Sequence, residues 1–230
     1  LRARILAAGP GLAFGLTAVC TCLAIAGAAV VLLLNPIWVD LEQRRSDVTG
    51  LTGYSAQEVS AVTGSILSDL VFGPPNFDVA VGGAPVLTER ERSHMADVRH
   101  AFGLAGLVVL AGCVVLVAAG VGWRGGARFW RAVRAGGLLA VGVVAVAGTL
   151  SVLFFDQAFE LMHRLFFASG TYTFNPRTDK LVQLFPDQFW FESAVALAVA
   201  MMVIGVAVAA GAGRLAGRAS AEALAAGEPS

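Results

Sequence analysis

The chain has 230 residues, 57% of them hydrophobic and only 14% charged, with no net charge. A soluble domain carries about a quarter charged residues and a nucleic-acid binder carries a basic excess, so both classes are excluded. The apolar residues fall in blocks of about 20, the length that crosses the hydrocarbon of a bilayer, and the sequence reads as a membrane protein.

The first block, GLAFGLTAVCTCLAIAGAAVVLLL at 11–34, lies within a stretch from 5 to 39 that has no charged residue. Its Cys20 and Cys22, with Cys113 further on, are the three cysteines, all inside apolar runs. They form neither a disulfide framework nor a zinc-ligand pattern. No cleavable signal peptide is expected: in LTAVC, ending at Cys20, Val19 is too large for lipobox processing.

Residues 35–100 are long enough to fold by themselves. YSAQEV at 54–59 is a capping box, Ser55 as N-cap and Glu58 at N3, with Tyr54 and Val59 placed for the accompanying staple. It predicts a helix from about 56 to 70, stopped by the prolines of FGPPNF. A second box, Thr88 and Glu91, starts a helix that can run unbroken into the next apolar block at 101–123.

Arg124, Arg128, Arg131 and Arg134 fill the following loop. Further apolar blocks span 136–155 and 193–213, with 156–192 between them. Arg2 and Arg4 precede the first span, and Arg214 and Arg218 follow the fourth. This bias predicts that both termini are cytoplasmic. Regions 35–100 and 156–192 then lie outside and hold 14 of the 16 acidic residues. Gly170 is expected to end a helix, Asn175-Pro176 to make a turn and Thr178 or Asp179 to cap a short helix. The tail AEALAAGEPS reads as irregular. The expected fold is all-α: a single membrane domain, a bundle of four transmembrane helices with a small extracytoplasmic cap built from 35–100 and 156–192.

The three histidines all fall near the outer ends of spans. If the third span's helix simply continues, His163 lies about 12 Å beyond Phe155. On that helix Asp156, Glu160, His163, Arg164 and Phe167 share one face, beside an apolar stripe of Phe155, Phe159, Met162 and Phe166. Glu160, three residues back, is placed to orient the His163 ring, as a carboxylate does in hydrolase triads. His94 stands three residues from both Glu91 and Asp97 and can be oriented in the same way. His100 lies about 120° away around that helix and reads as structural. A solvated charged face beside an interfacial aromatic belt is the alternative. Against it stands the aromatic density at 172–191: Tyr172, Phe174, Phe185, Phe189, Trp190 and Phe191. His94 and His163 offer no evident third metal ligand, and no cofactor is expected.

ERSHMADVR, FELMHRLFFASGTYTFNP and TDKLVQLFPDQFW, in this order around a cap that follows the first span, resemble the lipoprotein intramolecular transacylase family of four-span bacterial membrane proteins. The resemblance implies an acyltransferase at the outer face of the cytoplasmic membrane, with diacylglyceryl-modified lipoproteins and membrane lipids as partners. It would move the sn-2 acyl chain to the N-terminal cysteine amine and leave a lyso-form lipoprotein. It also implies two catalytic histidines, matched here by His94 and His163. Glu91, Asp97 and Glu160 would support them. Phe166, Phe167, Tyr172, Phe174, Asn175, Asp179, Phe185, Phe189 and Trp190 would form the substrate pocket. The family usually places a tryptophan where Tyr172 stands, which would alter the pocket wall. The competing function is a non-catalytic four-span scaffold or sensor with the cap as its binding surface.

Overall fold

A computed structural model describes residues 10–226 apart from Pro75 and Ser169. Four of its helices are long and apolar enough to cross a membrane, and among the described residues the regular structure is helical but for one small hairpin. Arg2 and Arg4 and the last four residues of the tail lie outside the described residues. The chain divides into two compact units, one of 1–30, 106–149 and 197–230, the other of 31–105 and 150–196.

In chain order the helices are α1 (Pro10–Leu33), α2 (Pro36–Arg45), α3 (Val48–Thr52), α4 (Ala56–Val71), α5 (Glu89–Gly122), α6 (Ala127–Val143), α7 (Thr149–Leu153), α8 (Phe155–Phe166), α9 (Lys180–Leu184) and α10 (Asp187–Ala225). The strands β1 (Ala80–Val81) and β2 (Ala84–Pro85) pair antiparallel around Gly82 and Gly83, both at positive φ.

The first unit packs its helices through small residues. A Cβ on Gly137 would sit 2.8 Å from the Gly205 carbonyl oxygen, and one on Gly205 would sit 3.0 Å from the Gly137 carbonyl oxygen. Two helix backbones therefore touch where neither has a side chain, the arrangement by which membrane helices gain dispersion contacts. Thr17 and Thr21, both buried, donate their hydroxyls to the carbonyls of Ala13 and Thr17, so neither hydroxyl is left bare. Leucines and valines such as Leu107, Val117 and Val203 face outward, as a lipid-exposed surface requires.

The second unit has an apolar core built from Val48, Val59, Val62, Ile66, Phe77, Leu87, Met95 and Leu184, among others. Both predicted capping boxes form. The Ser55 hydroxyl accepts from Glu58 N while Glu58 Oε2 accepts from Ser55 N, and Thr88 and Glu91 do likewise. Tyr54 and Val59 both join the core. From the second box, α5 runs without a break through the apolar block. Gln43 donates to Thr63 Oγ1 and to the Leu184 carbonyl, which ties α2, α4 and α9 together.

Four local expectations are corrected. The third span does not continue as one helix: a π-helical stretch occupies Val144–Gly148, and the chain breaks at Phe154 (φ −131°, ψ 47°) before α8. Gly170 does not end α8, which stops at Phe166 with extended Phe167 after it; Gly170 takes positive φ in the loop beyond. Asp179 does precede α9, but its side chain does not cap it. The tail is helical to Ala225, because α10 extends past its apolar block.

The same face of α2 carries Trp38, Glu42 and Arg45. The Trp38 indole donates to Ser193 Oγ, and Arg45 Nε lies 2.7 Å from Glu192 Oε2 and 3.7 Å from Glu42 Oε1. Glu42 is buried, and its Oε2 has no hydrogen-bond partner among the described residues. Burial, then the neighbouring Glu192 carboxylate, push its carboxyl up to about 7. A carboxyl raised above its unfolded value stabilises the fold fully below about 4.5 and loses that contribution as pH rises through 7. Glu192 is shifted the other way, chiefly by the Gln188 amide and Arg45, so its contribution is lost only in acid. Glu42→Gln supplies a neutral donor of the same shape. The melting temperature of the wild-type protein should therefore fall as pH rises from about 4.5 to about 7 and level off above that, and that of Glu42→Gln should stay flat in the same scan.

Candidate active site

His94 lies on the face of α5 that also carries Glu91 and Met95, and burying Met95 in the core carries the imidazole inward with it. His163 sits in the last turn of α8. The two rings lie nearly parallel, with centroids 6.1 Å apart and planes 20° apart. Aromatic rings close around them. Phe167 meets His94 edge-on at 4.9 Å and His163 at 5.5 Å. Phe174 is 5.4 Å from His94, Phe159 is 4.3 Å from His163, and Tyr172 is 5.1 Å from His163.

The two imidazoles are held differently. His163 Nδ1 lies 2.8 Å from the Phe159 carbonyl oxygen. A carbonyl only accepts, so Nδ1 carries the proton of the neutral ring and Nε2 keeps a free lone pair. His94 is 6% exposed, and its Nδ1 is buried with no partner among the described residues. Burial, and then the neighbouring His163, lower its pKa to about 4, with Asp97 opposing. His94 is therefore neutral across the physiological range.

The carboxylates do not do what their spacing suggests. Glu91 is fully buried and turned away from His94. Its Oε2 accepts from the Thr88 amide and hydroxyl, and its Oε1 accepts from the Leu181 amide at 2.7 Å. One side chain thus caps two helices, its own α5 and the distant α9. Asp97 is exposed and makes no hydrogen bond to His94; it acts on the ring only through its charge. Glu160 pairs with Arg164 at 2.8 Å and accepts from the Tyr172 hydroxyl at 3.4 Å. The backbone carbonyl of Phe159 takes the orienting position that the spacing assigned to Glu160. A carboxylate three residues away has a sequence signature, whereas a carbonyl acceptor has none.

The expected pocket residues separate into groups. Phe167, Tyr172 and Phe174 line the histidine pair directly, and Phe166 is an exposed neighbour of Phe167 at 6.5 Å. Phe185, Phe189 and Trp190 form their own cluster, joined to the site through Trp190 and Phe159 at 6.0 Å. Asn175 and Asp179 do not face the rings. Asp179 accepts from the Asn175 amide and pairs with Arg90 at 3.0 Å, and Asn175 Oδ1 accepts from the Arg177 amide. Arg90, which sequence reasoning missed, also lies 4.8 Å over the Phe174 ring and fixes that wall against His94. His100 is exposed. Among the described residues no three His, Cys, Asp or Glu side chains gather closely enough to hold a metal ion.

Four membrane-crossing helices and a pair of stacked imidazoles walled by aromatic rings define a polytopic membrane protein with a sheltered histidine pair. The family model of the lipoprotein intramolecular transacylase Lit matches residues 14–190, and the chain belongs to that family. It is a membrane acyltransferase, an intramolecular transacylase of lipoproteins. Among solved structures, the chain is similar to the lipoprotein intramolecular transacylase Lit from Bacillus cereus, with 18% identity and a TM-score of 0.76 over 91% of this chain and 96% of that one. Two forms of the Bacillus cereus protein with a histidine replaced, by arginine or by alanine, are each 15% identical with TM-scores of 0.76. They cover 93% and 95% of this chain and 94% and 98% of their own. At these identities the likeness is one of fold. No curated protein matches the chain by sequence.

Proposed function

We propose that the protein moves the sn-2 acyl chain of a diacylglyceryl-modified lipoprotein onto that lipoprotein's own N-terminal cysteine amine, with His163 as base and His94 as oxyanion donor. The observation that carries this reading is the fixed tautomer of His163. Its Nδ1–H is held by the Phe159 carbonyl, and its Nε2 lone pair is free beside a second, neutral imidazole.

The amine nitrogen attacks the ester carbonyl carbon and gives its proton to His163 Nε2. Charge gathers on the carbonyl oxygen, where His94 donates a hydrogen bond. A lowered pKa suits this role, because a neutral imidazole donates without competing for the proton. Collapse breaks the bond to the glycerol oxygen, and His163 returns its proton to that oxygen. The products are an amide and a free glycerol hydroxyl. No acyl-enzyme is required, since donor and acceptor belong to one molecule. Attack closes a ring through the amine nitrogen, the cysteine Cα, Cβ and sulfur, two glycerol carbons, the ester oxygen and the acyl carbon. Such a ring forms slowly in a flexible substrate. Walls made of Phe159, Phe167, Tyr172 and Phe174 would fold the substrate and recover that entropy.

Incubation of a synthetic diacylglyceryl lipopeptide with the purified protein tests the reaction. Mass spectrometry should show the free α-amine lost with the total mass unchanged. Loss of one acyl chain to water would instead mark a hydrolase.

Arg124 and, on the first turns of α6 where the spacing suggested a loop, Arg128, Arg131 and Arg134 support a topology with this end of α6 and both termini cytoplasmic, and with residues 35–100 and 156–192 as an extracytoplasmic cap holding the histidines. In a cysteine-free background, an impermeant maleimide added outside should label a cysteine at Gln57 and spare one at Arg131. The reverse labelling would put the site on the cytoplasmic face.

A further inference from the structure

Helix α8 presents three different sides. Around a wheel of 100° per residue, Phe155, Phe159 and His163 occupy the side packed against Phe191, Trp190 and His94. A second side carries Asp156, Gln157, Glu160 and Arg164. The third carries Ala158, Leu161, Met162 and Leu165, and it is bare: Leu161 is 57% exposed and Leu165 is 72% exposed. A helix crossing hydrocarbon is apolar all round, and a helix in water does not leave a leucine stripe uncovered. One polar and one apolar exposed side is the pattern of a helix that lies along the membrane boundary. The bare stripe is not isolated in the chain either: it follows in sequence on exposed Leu150, Val152, Leu153 and Phe154 at the apolar end of the third span.

We propose that α8 is an interfacial helix whose Leu161–Leu165 side is seated in the acyl region of the bilayer, with Asp156, Gln157 and Arg164 in the headgroup water. The partner of this surface is the lipid itself, because the stripe follows immediately in the chain on the exposed apolar end of a membrane-crossing helix. If the catalytic reading above holds, this seat has a consequence. Exposed Phe166 and its neighbour Phe167 then join the hydrocarbon to the histidine pair, so the acyl chain reaches His163 from the membrane side.

Nitroxide labels at Leu161, Leu165 and Gln157, each in a cysteine-free chain, test the seat in vesicles of phosphatidylethanolamine and phosphatidylglycerol. Power saturation with oxygen and with a water-soluble nickel chelate gives the depth of each label and needs no turnover. Labels at Leu161 and Leu165 should be relaxed several-fold more by oxygen than by nickel, and the Gln157 label should show the opposite ratio. Nickel access at Leu165 equal to that at Gln157 would overturn the proposal. So would labels at Leu161 and Leu165 shielded from both reagents and broadened by spin–spin contact, which would mean that a second copy covers the stripe. Two independent positions on the stripe guard against one label distorting the helix, and transacylation by each labelled protein confirms its fold.

Discussion

His163→Ala should lower transacylation by a factor of roughly 10² to 10⁴, the usual contribution of a positioned general base, while the protein still inserts and melts cooperatively. His94→Ala should cost about 10² to 10³ if the ring acts as an oxyanion donor. If the two imidazoles serve one step, the double variant should be little slower than His163→Ala alone. His100→Ala, exposed on the same helix as His94, should stay within a few-fold of wild type in the same lipopeptide assay. A loss in His100→Ala as deep as in His163→Ala would mean that the stacked pair is not the reacting centre. Exposed Asp97 makes no hydrogen bond to His94, so Asp97→Asn should also be mild.

Glu91→Ala should have the largest effect on stability. The carboxylate is fully buried and accepts from the Thr88 amide, the Thr88 hydroxyl and the Leu181 amide. Removing it strips the starts of two helices and leaves the buried Leu181 amide without a partner. A buried amide left without an acceptor costs about 1 to 3 kcal/mol, and the lost helix cap about 1 kcal/mol more. Thr88→Ala removes only the hydroxyl of the box and should cost about 1 kcal/mol. Melting in detergent, followed by intrinsic fluorescence, should show a large drop for Glu91→Ala and a small one for Thr88→Ala. Glu91→Gln decides between structure and catalysis. Its amide keeps one acceptor and loses the charge, so it should melt lower. If Glu91 instead oriented His94, turnover would fall while melting stayed unchanged.

These two expectations mark where sequence reasoning reached and where it stopped. The spans were legible because hydrocarbon demands long uncharged runs, and both capping boxes were legible because their partners lie three residues apart. His94 and His163 stood out as imidazoles flanked by carboxylates near span ends. The flanking carboxylates misled for the same reason. Spacing along a helix shows which groups can meet, but Glu91 is claimed by Leu181, ninety positions away, and Glu160 by Arg164 and Tyr172. The acceptor that orients His163 is a backbone carbonyl, which every residue has. The break at Phe154 has no proline or glycine to announce it. Helix α2 did carry a signal that was passed over: Asn35 caps it, accepting from the Trp38 amide, and Pro36 stands at its first turn.

Transfer within one substrate molecule is tested most directly by crossover. One diacylglyceryl lipopeptide carries a deuterated peptide and a deuterated sn-2 chain, and the other is unlabelled at both. The two are mixed with the protein in one preparation of vesicles, and the N-acylated products are weighed by mass spectrometry. Internal attack on the ester, with His163 taking the amine's proton, gives only doubly labelled and wholly unlabelled amides. Amides that pair a labelled chain with an unlabelled peptide would show that the chain passes between molecules or through the enzyme, and would contradict the account.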